Sequence, residues 1–107
     1  DKEVVLQAIE KDYNAFRSAS DDLRGDKDFV MQAVASNGYS LMYAEEPLRG
    51  DKEVVLQAIE KDYNAFRSAS DDLRGDKDFV MQAVASNGYS LMYAEEPLRG
   101  DKEVVLQ

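Results

Sequence analysis

The hydrophobic positions at the start of the chain lie on one side of a predicted helix. Four apolar residues recur at the spacing i, i+1, i+4, i+5, which places their side chains in one stripe. They are Val4, Val5, Ala8 and Ile9. Asp1 precedes the stripe and can cap the first backbone N–H groups, while Lys11 stands at the carboxyl end, where the helix dipole favours a cation. The pattern predicts a helix of about ten residues.

The same pattern returns after Asp26, and a second helix of similar length is predicted there. Its apolar positions are Val30, Ala33 and Val34. Asn37 and Gly38 follow and predict a left-handed stop to this helix. After the first helix, the run Asp-Tyr-Asn at residues 12–14 predicts a weaker stop, because Asp and Asn adopt the left-handed region less readily than Gly.

A shorter helix is predicted after each long one, over residues 14–20 and residues 39–45. Small, apolar and aromatic side chains should form its buried face. These are Ala15, Phe16 and Ala19 in the first case, and Leu41, Tyr43 or Met42, and Ala44 in the second. Pro47 should end the second short helix at Glu45 or Glu46, because the residue before a proline is pushed out of the α region. Leu23 and Leu48 should then fold back as anchors.

The pattern recurs because the sequence repeats. Residues 1–50 return unchanged as residues 51–100, and each copy has an internal period of half that length. The chain therefore divides into units 1–25, 26–50, 51–75 and 76–100, with a partial unit 101–107. We call 1–25 and 51–75 first-type units, and 26–50 and 76–100 second-type units. Such exact identity indicates very recent duplication or deliberate engineering, and we favour an engineered or idealised chain.

No single unit of this size can bury a sufficient core, so neighbouring units must stack. The pattern therefore predicts an all-α fold, an α-solenoid of tandem helix–turn–helix units of about 25 residues. With layers about 8–10 Å apart, four units would form a rod or shallow coil roughly 40 Å long.

The chain also resembles a known family, the repeat called domain of unknown function 4116. The similarity lies in the opening D-K-E-V-V-L-Q-A-I at residues 1–9, the run N-G-Y-S-L-M-Y-A at residues 37–44 and the L-R-G-D junctions. It covers the whole chain, with departures at Tyr13, where the family favours Gly, and at Pro47. The resemblance implies tandem helical hairpins, and it implies no reaction and no catalytic residues.

The composition narrows the classes of function. The net charge of −9 disfavours nucleic acid and anionic membrane surfaces as partners. No apolar run is long enough to span a bilayer and no signal-peptide pattern is visible, so we expect a soluble chain of unknown location. Cysteine and histidine are absent, which excludes disulfides and cysteine-bound metals, and we predict no metal and no cofactor. The chain lacks an initial methionine, which predicts that it is a window of, or a trimmed piece from, a longer protein.

The tripeptide Arg24-Gly25-Asp26 spells an integrin-recognition motif and recurs at the three later junctions. A structural interpretation competes with recognition, since Gly would close one element and Asp would cap the next helix. That cap would occupy the carboxylate that an integrin-bound metal needs. Three-residue motifs often match by chance, so the structural interpretation is favoured.

Two acidic pairs and one aromatic cluster are further candidates. Asp21-Asp22 and Glu45-Glu46 lack the oxygen spacing of a calcium loop, and a solvated turn with Asp21 paired to Arg17 is favoured. The aromatic cluster consists of Tyr39, Met42 and Tyr43. Its default interpretation is core or inter-unit packing, and the alternative is a ligand groove on the concave surface.

Enzyme chemistry is the weakest hypothesis, and we predict no catalytic residues. Without His, an acid–base pair must use Asp, Glu, Tyr or Lys. Exact repetition would also build the same site twice, whereas active sites gather unlike residues from different elements.

The favoured function is structural. Solenoids need polar terminal repeats to stay monomeric, and here both ends should present apolar faces with residues such as Val4, Val5, Ile9 and Phe16. Head-to-tail stacking through these faces would give extended assemblies or fibres. Residues 101–107 would act as a partial cap or as a competitor that forces segment exchange, unless the chain is a window of a longer array. The alternative function is a protein- or peptide-binding scaffold that uses the concave surface.

Overall fold

The structure is a computed structural model that describes residues 2–107, and within this range every regular element is helical. Each complete unit contains a long α-helix, a 3₁₀ helix and an α-helix of one turn. The long helices are α1 Lys2–Lys11, α3 Lys27–Ser36, α5 Lys52–Lys61 and α7 Lys77–Ser86. The 3₁₀ helices are η1 Tyr13–Ser18, η2 Gly38–Tyr43, η3 Tyr63–Ser68 and η4 Gly88–Tyr93. The one-turn helices are α2 Asp21–Arg24, α4 Glu46–Arg49, α6 Asp71–Arg74 and α8 Glu96–Arg99, and α9 Lys102–Val105 opens the partial unit.

The predicted aspartate caps are confirmed at the long helices that follow a junction. The Asp26 carboxylate accepts a hydrogen bond from the Phe29 amide at 3.1 Å, and Asp76 does the same for Phe79. At α5 the Asp51 carboxylate accepts from the amides of two residues, Glu53 and Val54. Each bond satisfies a backbone donor that the first helical turn leaves free. The predicted cap at Asp1 lies outside the described residues.

The predicted left-handed stop at Asn37 and Gly38 is wrong. Asn37 has an extended backbone, with φ of −151°, and no residue from 2 to 107 has the positive φ of a left-handed turn. The Asn37 side chain instead begins η2 by accepting a hydrogen bond from the Tyr39 amide. Asp12 begins η1 in the same way through the Asn14 amide. Short polar side chains that bond the backbone two residues on end one helix and start the next.

A shorter helix follows each long helix, as predicted over residues 14–20 and 39–45, but it ends earlier than predicted. It is a 3₁₀ helix that ends at Ser18 or Tyr43, and a separate one-turn α-helix follows. Pro47 was expected to end a helix, but it lies in the first turn of α4, where its missing N–H costs nothing. In first-type units the Ser20 hydroxyl begins the same turn by accepting from the Leu23 amide. The one-turn helix thus begins with a serine cap in first-type units and with a proline in its first turn in second-type units.

The core runs along the stack, because every unit contributes side chains to a shared cluster. The predicted stripe is completely covered in α5, where its four members are buried. They are Val54, Val55, Ala58 and Ile59. Phe16 of one unit contacts Phe29 of the next, with ring centroids 5.8 Å apart. The stack measures 47 × 22 × 17 Å along its principal axes. The all-α class and the packing of each unit against its neighbours are confirmed.

Candidate functional site

The recurring contact between units is the feature with the most defined chemistry, and backbone hydrogen bonds mark it at each full junction. The amide of Glu45 donates to the carbonyl of Arg24 at 2.9 Å. The same bond recurs at 2.9 Å between Ser70 and Arg49, and between Glu95 and Arg74. Each bond joins the residue that precedes a one-turn helix to the last residue of the one-turn helix in the preceding unit. The register between units is therefore fixed by the main chain.

Two kinds of junction alternate. The glycine junction lies where a second-type unit meets the following first-type unit, between residues 26–50 and 51–75. A Cβ atom added to Gly38 would lie 2.6 Å from the Ala58 carbonyl oxygen and 3.3 Å from the Asp62 amide nitrogen. Only a residue without a side chain fits this close approach of two backbones. Glycine is needed at position 38 because a side chain would not fit there, and not because the backbone is left-handed.

The tyrosine junction lies where a first-type unit meets the following second-type unit. Tyr13 occupies the position that Gly38 holds in the other unit type, and its ring contacts the rings of Tyr39 and Tyr43, with centroids 5.3 and 6.2 Å away. Tyr63 repeats these contacts with the next second-type unit. Tyr13 therefore provides aromatic contact at the position where the glycine junction has a close backbone approach.

An asparagine links the tyrosines into a ladder. The Asn64 side chain donates from Nδ2 to the Tyr39 hydroxyl at 3.1 Å and accepts at Oδ1 from the Tyr93 hydroxyl at 2.5 Å. One residue thus bridges the unit before it and the unit after it. In the first copy, Asn14 accepts from Tyr43 at 2.6 Å.

Charged side chains also distinguish the junctions. Lys27 spans the glycine junction to two carboxylates, Asp51 at 3.1 Å and Glu53 at 2.9 Å. Lys52 spans the tyrosine junction to the Asp76 carboxylate at 3.6 Å. Glu53 corresponds to an aspartate in second-type units, whose side chain is one methylene shorter. The two arrangements therefore differ in the residue at this one position.

These contacts shift the pKa values of the junction groups. Hydrogen bonds to Glu53 and Asp51 raise the pKa of Lys27 above its ordinary 10.5. Burial raises the pKa of Asp51, but hydrogen bonds from Lys27 and from the Val54 amide outweigh it, so the net pKa lies below 3.8. The pKa of Asp76 is also lowered, chiefly by the Phe79 amide. Among the groups that lower these pKa values, Lys27 has the largest effect on Asp51, whereas the Phe79 amide has the largest effect on Asp76.

The Arg-Gly-Asp tripeptide lies within the junction. The Asp26 carboxylate caps α3 and lies 3.6 Å from Lys2 Nζ, while Gly25 lies at the end of α2. The remaining copies with Asp51, Asp76 and Asp101 repeat the cap and the lysine contact. These contacts are the ones that the structural interpretation requires.

The aromatic cluster lies partly at the surface. Tyr39 and Met42 are 37% and 44% exposed, while Tyr43 is half-buried. Tyr39 and Met42 line a cavity of about 320 Å³ together with residues of the neighbouring units, namely Tyr13, Asn64, Arg67 and Ser68. The cluster therefore takes part in inter-unit packing and also leaves aromatic and thioether surface open to solvent.

The acidic pairs lie at the start of the one-turn helices α2 and α4. Asp21 pairs with Arg24 within α2, so the predicted pairing with Arg17 is wrong. The three-residue spacing on the one-turn helix brings Arg24 closer, whereas η1 ends before Asp21. Among residues 2–107, no group of three or more acidic side chains is arranged to hold a metal ion. In the same range, no helix has the length and apolar character needed to cross a bilayer.

The two sequence copies differ most at the ends of the stack. Val4 is 63% exposed, whereas the identical Val54 is fully buried against the preceding unit. The prediction that Ile9 and Phe16 form part of the exposed face is wrong, because both are fully buried. Phe16 packs against Phe29 of the next unit. The apolar terminal face at this end therefore centres on Val4.

Sequence reasoning missed the asparagines at positions 14 and 64, which carry the inter-unit hydrogen bonds. Asn14 stood in the predicted turn, and no sequence signal showed that its side chain would reach another unit. The spatial role of Gly38 had a signal, since first-type units place Tyr13 at the same position. A residue type that alternates between units at one position indicates two different contacts there.

Comparison with known protein families identifies a match over most of the chain. A family model described as "Domain of unknown function (DUF4116)" matches residues 1–49, 51–99 and 76–107. Together these segments cover nearly the whole chain. No curated protein and no solved structure matches the chain.

Proposed function

This chain belongs to the DUF4116 family of tandem repeats, and from that premise we propose that it is a non-enzymatic structural protein that stacks head to tail. In this proposal the units form an α-solenoid, and the contact that joins units within the chain also joins one molecule to the next. Because the contact relates each unit to the next without closing a ring, repetition gives extended assemblies.

The repeated contact between units is the observation that supports stacking most strongly, because the same backbone hydrogen bond of 2.9 Å recurs at three successive junctions. Val4, whose counterpart Val54 is fully buried at the glycine junction, is 63% exposed in the described chain. Val5 and Ala8 lie beside Val4 and are less covered than their counterparts Val55 and Ala58. Covering such apolar surface is the main driving force of protein association.

Charge opposes stacking. Each fifty-residue copy carries ten acidic and six basic residues, so neighbouring molecules repel. Salt screens this repulsion, and association should strengthen as ionic strength rises. Sedimentation and light scattering over a range of protein and salt concentrations test the proposal. Val4→Asp should remove the association, and a monomer that persists at high protein and high salt concentration contradicts stacking.

No catalytic role is part of this proposal. The sequence contains neither His nor Cys, and the polar side chains at the junctions pair with each other across unit boundaries. Pairing between units therefore explains why these polar side chains lie at the junctions. Screening the purified chain for hydrolase activity tests this, and a reproducible turnover that disappears with a junction variant would contradict it.

A second candidate is a protein- or peptide-binding scaffold on the concave surface. The exposed rings of Tyr39 and Tyr89, with the cavity beside Tyr39, support it, since aromatic grooves bind extended peptides in other proteins. A double variant, Tyr39→Ala with Tyr89→Ala, should lose a partner that the parent chain binds in purified form. The matched Phe variants keep the rings and should retain it. Equal binding by all three chains contradicts this candidate.

A further inference from the structure

The cavity beside Tyr39 lies among the 3₁₀ helices, and three successive units form it. Tyr13 comes from η1, Tyr39 and Met42 come from η2, and Asn64 and Arg67 come from η3. Its volume of about 320 Å³ is within the range of pockets that bind small ligands or side chains. No single unit could form the cavity, so it is created by the stacking of units.

The aromatic part of the cavity is held in place by contacts between units. The centroid of the Tyr39 ring lies 5.3 Å from that of Tyr13, and the Tyr39 hydroxyl accepts a hydrogen bond from Asn64 Nδ2 at 3.1 Å. Tyr39 and Met42 remain partly open to solvent. Because a side chain that is already held in place loses little freedom when a ligand packs on it, such a surface favours binding. The cavity thus offers a preorganised apolar surface.

Arg67 adds a positive charge that has no partner among the described residues. It is exposed, and it is the one charged residue among those that line the cavity. Within residues 2–107 it forms no ion pair, whereas Arg74, in the helix that follows, pairs with Asp71. A guanidinium binds a carboxylate through two parallel hydrogen bonds. A carboxylate is therefore the group that best fits beside Arg67.

The surface around the cavity carries charge of the same sign. The four 3₁₀ helices contain no acidic residue, and their charged residues are Arg17 and Arg67. Successive 3₁₀ helices contact each other, so they form a continuous row along the stack. Asp12 and Asp62 immediately precede η1 and η3, and their carboxylates accept hydrogen bonds from backbone amides of those helices. The acidic residues that give the chain its net charge of −9 thus lie outside the row.

We propose that the cavity binds an extended acidic peptide segment, with a carboxylate side chain on Arg67 and a neighbouring apolar side chain against Tyr39 and Met42. This inference rests on the second candidate function, the peptide-binding scaffold, and names the class of its ligand. A row of helices that continues along the stack suits an extended chain. Charge complementarity with the two arginines of the row selects acidic peptides.

Peptide selection on the full chain tests the ligand class. A phage-displayed library of random peptides is selected on the immobilised chain, and fluorescence anisotropy measures the affinity of the enriched peptides in synthetic form. These peptides should carry Asp or Glu beside a large apolar residue. Arg67→Gln should raise their dissociation constant at least about tenfold, because it removes charge-assisted hydrogen bonds. Arg67→Lys keeps the charge without the two parallel bonds, so it should cause a smaller rise.

Arg17→Gln is the matched control, because it removes the same charge from the same local sequence. Arg17 does not line this cavity, so the dissociation constant should rise by less than about threefold through long-range charge alone. Circular dichroism checks that every arginine variant keeps the helicity of the parent chain. Equal rises for Arg17→Gln and Arg67→Gln overturn the inference, since the cavity would then not be the site of contact.

The failure of this inference can be told apart from the failure of the binding scaffold. Enriched peptides that lack acidic residues, and whose affinity falls in Tyr39→Ala but not in Arg67→Gln, overturn the inference and leave the scaffold standing. If no peptide is enriched over a surface without the chain, the binding scaffold itself fails and the proposed ligand with it.

Discussion

At the glycine junction two backbones lie in direct contact, whereas at the tyrosine junction an aromatic ring provides the contact between units. Gly38 lies against the Ala58 carbonyl, while Tyr13, at the same position in the other unit type, lies against Tyr39 and Tyr43. Both junctions keep the same backbone hydrogen bond of 2.9 Å. The two junctions therefore share one main-chain register but differ in the side-chain contacts between units.

The two units that form one sequence repeat are therefore not the two units whose backbones lie closest together. The two pairings are shifted by one unit. The sequence repeats residues 1–50, a block joined by a tyrosine junction. The close backbone approach at Gly38 lies instead within residues 26–75. The same range contains Lys27, the lysine that contacts two carboxylates. Substitutions that weaken the glycine junction should therefore cost more than equivalent changes at the tyrosine junction.

Gly38→Ala should have the largest effect on this comparison. The added Cβ would lie 2.6 Å from a backbone oxygen, and a backbone cannot move aside as a flexible side chain can. We expect a loss of about 1–3 kcal/mol in the free energy of unfolding, the usual cost of overpacking. Urea denaturation of the parent and variant measures it.

Gly88→Ala is the control, because it makes the same change in the same local sequence. No described atom lies within 4 Å of its added Cβ, so the free energy of unfolding should change by no more than about 0.5 kcal/mol. Equal losses for the two variants would mean that local backbone preference, and not the junction, requires glycine.

Much of the fold followed from the sequence, and the part that did not follow has a physical reason. The long helices and their aspartate caps depend on local periodicity and local hydrogen bonds, which a sequence displays. The division of each shorter segment into a 3₁₀ helix and a one-turn helix depends on two things. One is the capping hydrogen bond from Asn37 or Asp12, and the other is packing against the neighbouring unit. The role of Asn64 depends on side chains 25 and 29 residues away, which only the stacked structure brings together.

Asn64→Ala should have the next largest effect, because it removes hydrogen bonds at two junctions at once. Its partners are Tyr39 at the glycine junction and Tyr93 at the tyrosine junction. Both bonds are partly accessible to water, so we expect a total loss of about 1 kcal/mol in the free energy of unfolding. Asn14→Ala removes the single bond to Tyr43 and should cost about half as much, measured by the same denaturation.

Acid titration should distinguish Asp51 from Asp76, because different groups have the largest lowering effect on the pKa of each. The lowered pKa of Asp51 and Asp76 means that their stabilisation is present above 3.8 and is lost as pH falls through the lower folded value. In Lys27→Gln, loss of the hydrogen bond and the charge of Lys27 should raise the pKa of Asp51, so stability should begin to fall at a higher pH. In Lys52→Gln, the pKa of Asp76 should stay lowered because the Phe79 amide remains. Carboxyl titration by NMR measures both, and equal shifts contradict the distinction.

The smallest expected effect tests whether side-chain length alone separates the charged contacts. Asp78→Glu adds one methylene at the tyrosine junction and should let the carboxylate reach Lys52, as Glu53 reaches Lys27 at 2.9 Å. The reciprocal Glu53→Asp should withdraw a carboxylate from Lys27. Neither change alters net charge, so long-range repulsion stays constant. Because exposed ion pairs contribute little, we expect a gain and a loss of roughly 0.2–0.5 kcal/mol in the free energy of unfolding. High salt should shrink both differences, and a gain from Asp78→Glu that persists in high salt would point to packing of the added methylene as its source.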